Sequence, residues 1–131
     1  MNGLPSLAIL LFKAVIIMMK RNCSYHITKD RPYRTLHILS TVGIGEIIKE
    51  QRCVDNEGRV SWQCFTNTGV ILVLSENRKM AVTLYIASQP KVSAMYQGKT
   101  PSWILHMVKK NSVHASIQNN VERLKQIYGE L

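Results

Sequence analysis

The chain has 131 residues, 46% hydrophobic and 19% charged, a balance that excludes a disordered polymer and is long enough for one domain with a core. Seventeen basic side chains against eight acidic ones give a formal charge of +9, which points towards an anionic partner. Three scattered cysteines at 23, 53 and 64 form no C-x-x-C pair, which excludes a disulfide framework or zinc knuckle and leaves reduced thiols in a cytoplasmic setting as the simpler account.

Ser6 to Met19 is an apolar run interrupted by Lys13. A membrane span needs about 20 apolar residues, and the central lysine counts against one. A signal peptide carries its basic residues before the apolar run, whereas Lys20-Arg21 follow it and no small-residue cleavage pattern is present. The favoured expectation is a buried or capping helix, or a translated extension upstream of a start at Met18 or Met19. Residues 1–21 are therefore an apolar extension or helix, 22–131 a single domain, and a membrane partner is not expected.

Asn22 to Thr28 alternates Cys23, Tyr25 and Ile27 against Ser24, His26 and Thr28, as a short edge strand would. Cys23 and His26 have a spacing that a metal could use, with His37 nearby, but the set is too small for a four-ligand site. No metal or cofactor is assigned. Asp30-Arg31-Pro32 breaks this segment, and Tyr33 to Ser40 is predicted helical, placing Arg34 and His37 at i, i+3 spacing. Gly43-Ile44-Gly45 is a turn, since the lysine and Ser/Thr of a phosphate loop are missing. Glu46 to Arg52 is predicted to be a second helix burying Ile44, Ile47 and Ile48.

Arg59 to Ile86 predicts three antiparallel strands. Val60, Trp62 and Cys64 alternate with Ser61 and Gln63, and Asn67 and Gly69 supply a tight turn. Val70 to Leu74 is apolar on both faces and should be the central strand, and Asn77 suits a left-handed turn position. Met80, Val82, Leu84 and Ile86 then alternate with Ala81, Thr83 and Tyr85. A short helix from Ser88, a break at Gln97-Gly98 and a helix capped by Thr100 with Pro101 at its first position follow. Trp103, Ile104, Met107 and Val108 form that helix's apolar side, with Asn111-Ser112 a break. Val113, Ile117, Val121, Leu124 and Tyr128 then mark a last amphipathic helix that packs on the domain or on a protein partner, while His106 and His114 fall on exposed faces. The fold class is α+β: a three- to four-stranded antiparallel meander with N-terminal helices and a C-terminal helical region, 101–129, packed on it.

Charge is unevenly placed. From Arg78 to Lys110 there are six basic residues and no acid, and from Lys20 to Arg34 five basic residues face Asp30 alone. With one sheet face covered by helices, the other would present Thr83, Tyr85 and Gln63. Lys29, Arg31 and Arg34, with one of His26 or His37, could approach that face. Such a set suits RNA cleavage without a metal: a base takes the ribose 2′-hydroxyl proton, and a cation stabilises the charge developing on the phosphate. Tyr85 or Trp62 could stack on a base. Lys29, Arg31, Arg78, Lys79, Lys109 and Lys110 would supply phosphate affinity, for RNA before DNA.

The order of elements resembles small bacterial ribonuclease toxins, the RelE-like and colicin-like enzymes with their barnase-related relatives. The resemblance covers residues 22–88 and is carried by Arg34-Thr-Leu-His37, the segment Ile44 to Arg52 and the meander ending in Thr83-Leu84-Tyr85. It implies an RNase-like α+β fold with His37, Arg34, Thr83 and Tyr85 as catalytic positions. The basic region from Pro101 to Leu131 departs from those minimal toxins. It supports the alternative, a basic nucleic-acid-binding regulator of phage or mobile-element type without catalysis.

Overall fold

The computed structural model describes residues 22–23 and 32–120. Expectations about the 1–21 run, His26, Lys29, Arg31 and the stripe positions Val121, Leu124 and Tyr128 lie outside the described residues. In chain order the elements are β1 (Asn22–Cys23), α1 (Pro32–Thr41), β2 (Ile47–Val54), β3 (Val60–Thr66), β4 (Val70–Ser75), β5 (Met80–Ile86), α2 (Gln89–Met95), α3 (Ser102–Lys110) and α4 (Ser112–Ile117). They form a five-stranded sheet of order β1-β5-β4-β3-β2. Strands β2 to β5 are an antiparallel meander, and β1 adds a parallel edge through Asn22↔Met80 and Cys23↔Ala81. The fold is α+β, with β4 at the centre, as its unbroken apolar run requires.

Glu46 to Arg52 is the main correction. This stretch is strand β2, paired with β3 from Ile47↔Thr66 to Val54↔Val60, and not a helix. Lys49-Glu50-Gln51-Arg52 favours helix by intrinsic propensity. The exposed flank of β3 outweighs that preference by offering a full ladder of hydrogen bonds and cross-strand neighbours. The register shift between Ile47 and Lys49 is a bulge that the helical reading of the two isoleucines concealed.

A second correction concerns the layers. Helices pack on both sheet faces, so the face that carries Thr83, Tyr85 and Gln63 is partly covered rather than open. Cys64, Val70, Leu72, Leu74, Ala81, Leu84 and Ile86 bury one face against Ile38 of α1, with Ala115 of α4 alongside. Phe65, Ile71 and Val73 bury the other against Val92 and Met95 of α2 and Ile104 and Val108 of α3. Phe65 and Ile71 are fully buried, each worth roughly 1.5–3 kcal/mol relative to exposure.

The Asn67-Thr68-Gly69 turn ties these layers together. Gly69 has φ +92°, and a Cβ there would lie 2.6 Å from the Asn111 amide nitrogen. Thr68 Oγ1 donates to Gly43 O (2.8 Å), the Asn67 N–H donates to Glu46 O (2.9 Å), and the Ala87 N–H donates to Gly69 O (2.9 Å). Asn111 Nδ2 donates to Thr68 O (2.9 Å) from the α3–α4 junction. One hairpin turn thus holds the α1–β2 loop, the end of β5 and the C-terminal helices. At the opposite end of β4, Arg78 rather than Asn77 takes the left-handed conformation (φ 62°). Asn77 instead accepts the Lys79 N–H (2.9 Å).

The C-terminal helices depart from the apolar-stripe expectation. Helix α3 starts after Pro101, with no side-chain cap from Thr100. Trp103 is 53% exposed rather than packed, and Val113 is 64% exposed. The face of α4 that packs carries Asn111, His114, Ala115 and Gln118, spaced as i, i+3, i+4 and i+7. Gln118 acts as a strand substitute at the edge of β5 that β1 leaves uncovered. Its Oε1 accepts the Ile86 N–H (2.8 Å) and its Nε2 donates to Ile86 O (3.0 Å), all buried. Gln118→Ala strands both backbone groups and should lower unfolding free energy by about 2–4 kcal/mol in urea titrations. A loss below about 0.5 kcal/mol, the scale of an ordinary surface change, would show that the amide clamp contributes nothing.

Candidate nucleic-acid interface

The structure brings together part of the catalytic set expected from sequence. The Arg34 guanidinium lies over the Tyr85 ring, 5.9 Å from its centroid. Thr83 and Tyr85 share one face of β5, opposite Val73 and Ile71 of β4. That is the face α2 and α3 cover, and Tyr85 packs half-buried against their cluster. Burial raises the Tyr85 hydroxyl above its ordinary pKa of 10.0, nearby Cys53 adds to this, and Arg34 opposes it. Gln63 lies on the same face, with Oε1 buried and without a hydrogen-bond partner.

His37 is 4% exposed, on the same helix as Arg34. Its ring faces that of His114 on α4 with centroids 5.6 Å apart, so the expectation that His114 lies on an exposed face is corrected. His37 Nε2 and His114 Nδ1 are both buried and without hydrogen-bond partners. Burial lowers the His37 pKa below 6.5, a backbone hydrogen bond at His114 pulls it upward, and the His114 charge adds to the lowering. His37 is therefore a neutral, enclosed imidazole at neutral pH.

The described basic residues expected to bind phosphate, Arg78, Lys79, Lys109 and Lys110, do not form one patch. Arg78 stacks on Trp62 at 3.9 Å from the ring centroid and pairs with Glu50 at 2.9 Å. Trp62 also donates through Nε1 to Glu76 O (3.1 Å), so Arg78 and one face of Trp62 already have partners within the protein. Lys79 is exposed on the β4–β5 turn. Lys109 and Lys110 close α3 beside the β3–β4 turn, at the other end of β4, roughly 20 Å away at strand rise.

Helices α2 to α4 form a more coherent surface. From Asn77 to Val121 the chain contains no acidic residue, and Lys91, Lys99, Lys109, Lys110, His106 and His114 fall in that span. Trp103, His106 and Lys110 recur at i, i+3 and i+7 on α3, and all three are exposed. Reading Trp103 as core hid this line, because an apolar residue beside Ile104 at the start of a helix is usually packed. Its spacing to His106 and Lys110 is the signal that could have found it. Asn111 and Gln118, which hold the layer in place, carry no sequence signature.

Val113 and Ile117 are the described residues of the expected partner-binding stripe. Val113 is exposed and Ile117 is half-buried. Among the described residues no group of three or more His, Cys, Asp or Glu is placed to hold a metal, and no helix is long and apolar enough to cross a membrane. Cys53 and Cys64 are free thiols. No protein-family model, curated protein or solved structure matches the chain.

His37 makes stability depend on pH. Its folded pKa is depressed, so the unfolded chain binds the proton more readily near pH 6.5 and below. The stability it confers is complete above that value and is lost as pH falls through it. Urea midpoints should therefore drop between pH 7.5 and 5.5, and His37→Gln should reduce that drop. An equal drop in both proteins would show that His37 is not the group responsible.

Proposed function

We propose that this protein binds single-stranded nucleic acid, RNA before DNA, along the outer surface of α3 and its neighbours. The observation that carries this reading is Trp103, 53% exposed and aligned with His106 and Lys110 in a stretch without a single carboxylate. An exposed indole offers a stacking plane to any base, and lysines along the same surface attract the phosphates without reading sequence. The positive helix surface has no carboxylates of its own to compete for those lysines.

Metal-independent RNA cleavage through His37, Arg34, Thr83 and Tyr85 is the second reading. The contact between Arg34 and Tyr85 favours it, since it joins a cation and a hydroxyl that the mechanism would use. The enclosure of His37 weighs against it, because a general base must come within hydrogen-bond reach of the 2′-hydroxyl.

One experiment separates the two. Fluorescence anisotropy with a labelled single-stranded RNA in EDTA should show affinity that falls steeply with salt. Trp103→Ala should weaken binding by roughly 5- to 100-fold, the scale of one lost base stack. The RNA should remain intact on a gel. Salt-independent or absent binding would refute the proposal. Cleavage that disappears in both His37→Ala and Tyr85→Ala would establish the second reading instead.

A further inference from the structure

The Thr68 turn and the C-terminal helices enclose a cleft of about 310 Å³ between Thr41 at the end of α1, Thr68, and Met107, Lys110, Asn111 and His114. Among the described residues its titratable lining groups are the side chains of Lys110 and His114, both basic, and no carboxylate borders it. Two features point to a ligand. The first is the His114 imidazole, which lines the cleft beside Lys110. The second is Asn111, 7% exposed, whose amide nitrogen gives one hydrogen to Thr68 O and has a second remaining. Thr41 Oγ1 is already committed as donor to His37 O (2.7 Å), so the donors for a ligand are the lysine, the imidazole and the amide.

Three nitrogen donors, two of them able to carry charge, match a group with several acceptor oxygens and negative charge. A compact oxyanion also suits the volume, which lies at the lower end of the range for ligand sites. Lys110 lies seven residues beyond Trp103 on α3, about 10 Å along the helix axis, so one strand running along the helix reaches both.

We infer that the cleft is a phosphate site, holding one backbone phosphate of the bound strand between Lys110, His114 and the Asn111 amide while Trp103 stacks a base. This rests on the nucleic-acid reading above, yet the cleft itself is tested with inorganic phosphate alone. A phosphate there fixes the position of the strand, whereas the other lysines attract it without positioning it.

The test follows the His114 imidazole signals of the full-length protein by NMR during titration with inorganic phosphate, and then with a single-stranded RNA. Saturable movement of those signals by phosphate is expected, with Lys110→Ala weakening both phosphate and RNA binding by roughly tenfold, the scale of one charge-assisted contact. His114→Gln, followed through the Lys110 backbone amide instead, should behave likewise, and Arg59→Ala, which removes an equal charge far from the cleft, should leave both unchanged. Lys110 is exposed, so its variant stays informative if His114→Gln fails to fold. Phosphate that leaves the His114 signals unmoved, or an unaltered phosphate affinity in Lys110→Ala, overturns the site even if RNA binds elsewhere. Phosphate binding at His114 with no binding of RNA upholds the cleft and overturns the nucleic-acid reading.

Discussion

The architecture depends on the hydrogen bonds made by the four-residue turn from Thr66 to Gly69. Thr66 Oγ1 closes the turn on itself by donating to Val70 O (2.9 Å). Asn67, Thr68 and Gly69 then reach outward to the α1–β2 loop, to Ala87 just beyond β5 and to the α3–α4 junction. Backbone groups at a hairpin tip usually face water. Here they are partnered by Asn111 and by neighbouring main chain, so the turn is a fastening point and not a free loop. Gly69 permits this because its positive φ and lack of a Cβ let Asn111 approach closely.

The proposed interaction surface follows from that fastening. Helices α3 and α4 meet at Asn111, which is buried and bonded to the turn, and Gln118 fixes the far end of α4 to Ile86. With both junctions anchored by polar side chains, the apolar residues of α3 can divide. Ile104 and Val108 enter the core, while Trp103 and Leu105 remain outside beside lysines. An exposed indole costs the domain some hydrophobic burial that a packed one would provide. The proposed stacking of bases on Trp103 would account for keeping it outside.

Strand periodicity made the meander legible before any coordinates. The all-apolar Val70–Leu74 run could only be a central strand, and Gly69 marked the turn before it. The helix Pro32–Thr41 was equally clear from its apolar spacing behind a proline. Strand β2 was not, because the polar residues between Ile48 and Cys53 carry helical propensity and their strand character comes from β3, a partner distant from them in composition. The site was harder still. Arg34 lies over Tyr85, yet the expectation of an open polar face ignored that Phe65, Ile71 and Val73 need helices as much as Leu72 and Leu74 do. The His37–His114 pair and the amides of Asn111 and Gln118 arise from tertiary contacts, which spacing along a single chain does not encode.

The account's central claim is that one anchored, acid-free helical layer carries the interaction surface. Its most direct test is a backbone-amide NMR map of the protein titrated with single-stranded RNA. The account predicts that shifts concentrate on α3 and the α3–α4 junction, with the Trp103 indole N–H among the largest and the amides of β2 silent. Shifts centred on β2 and the Arg78–Trp62 surface, with α3 unmoved, would contradict it.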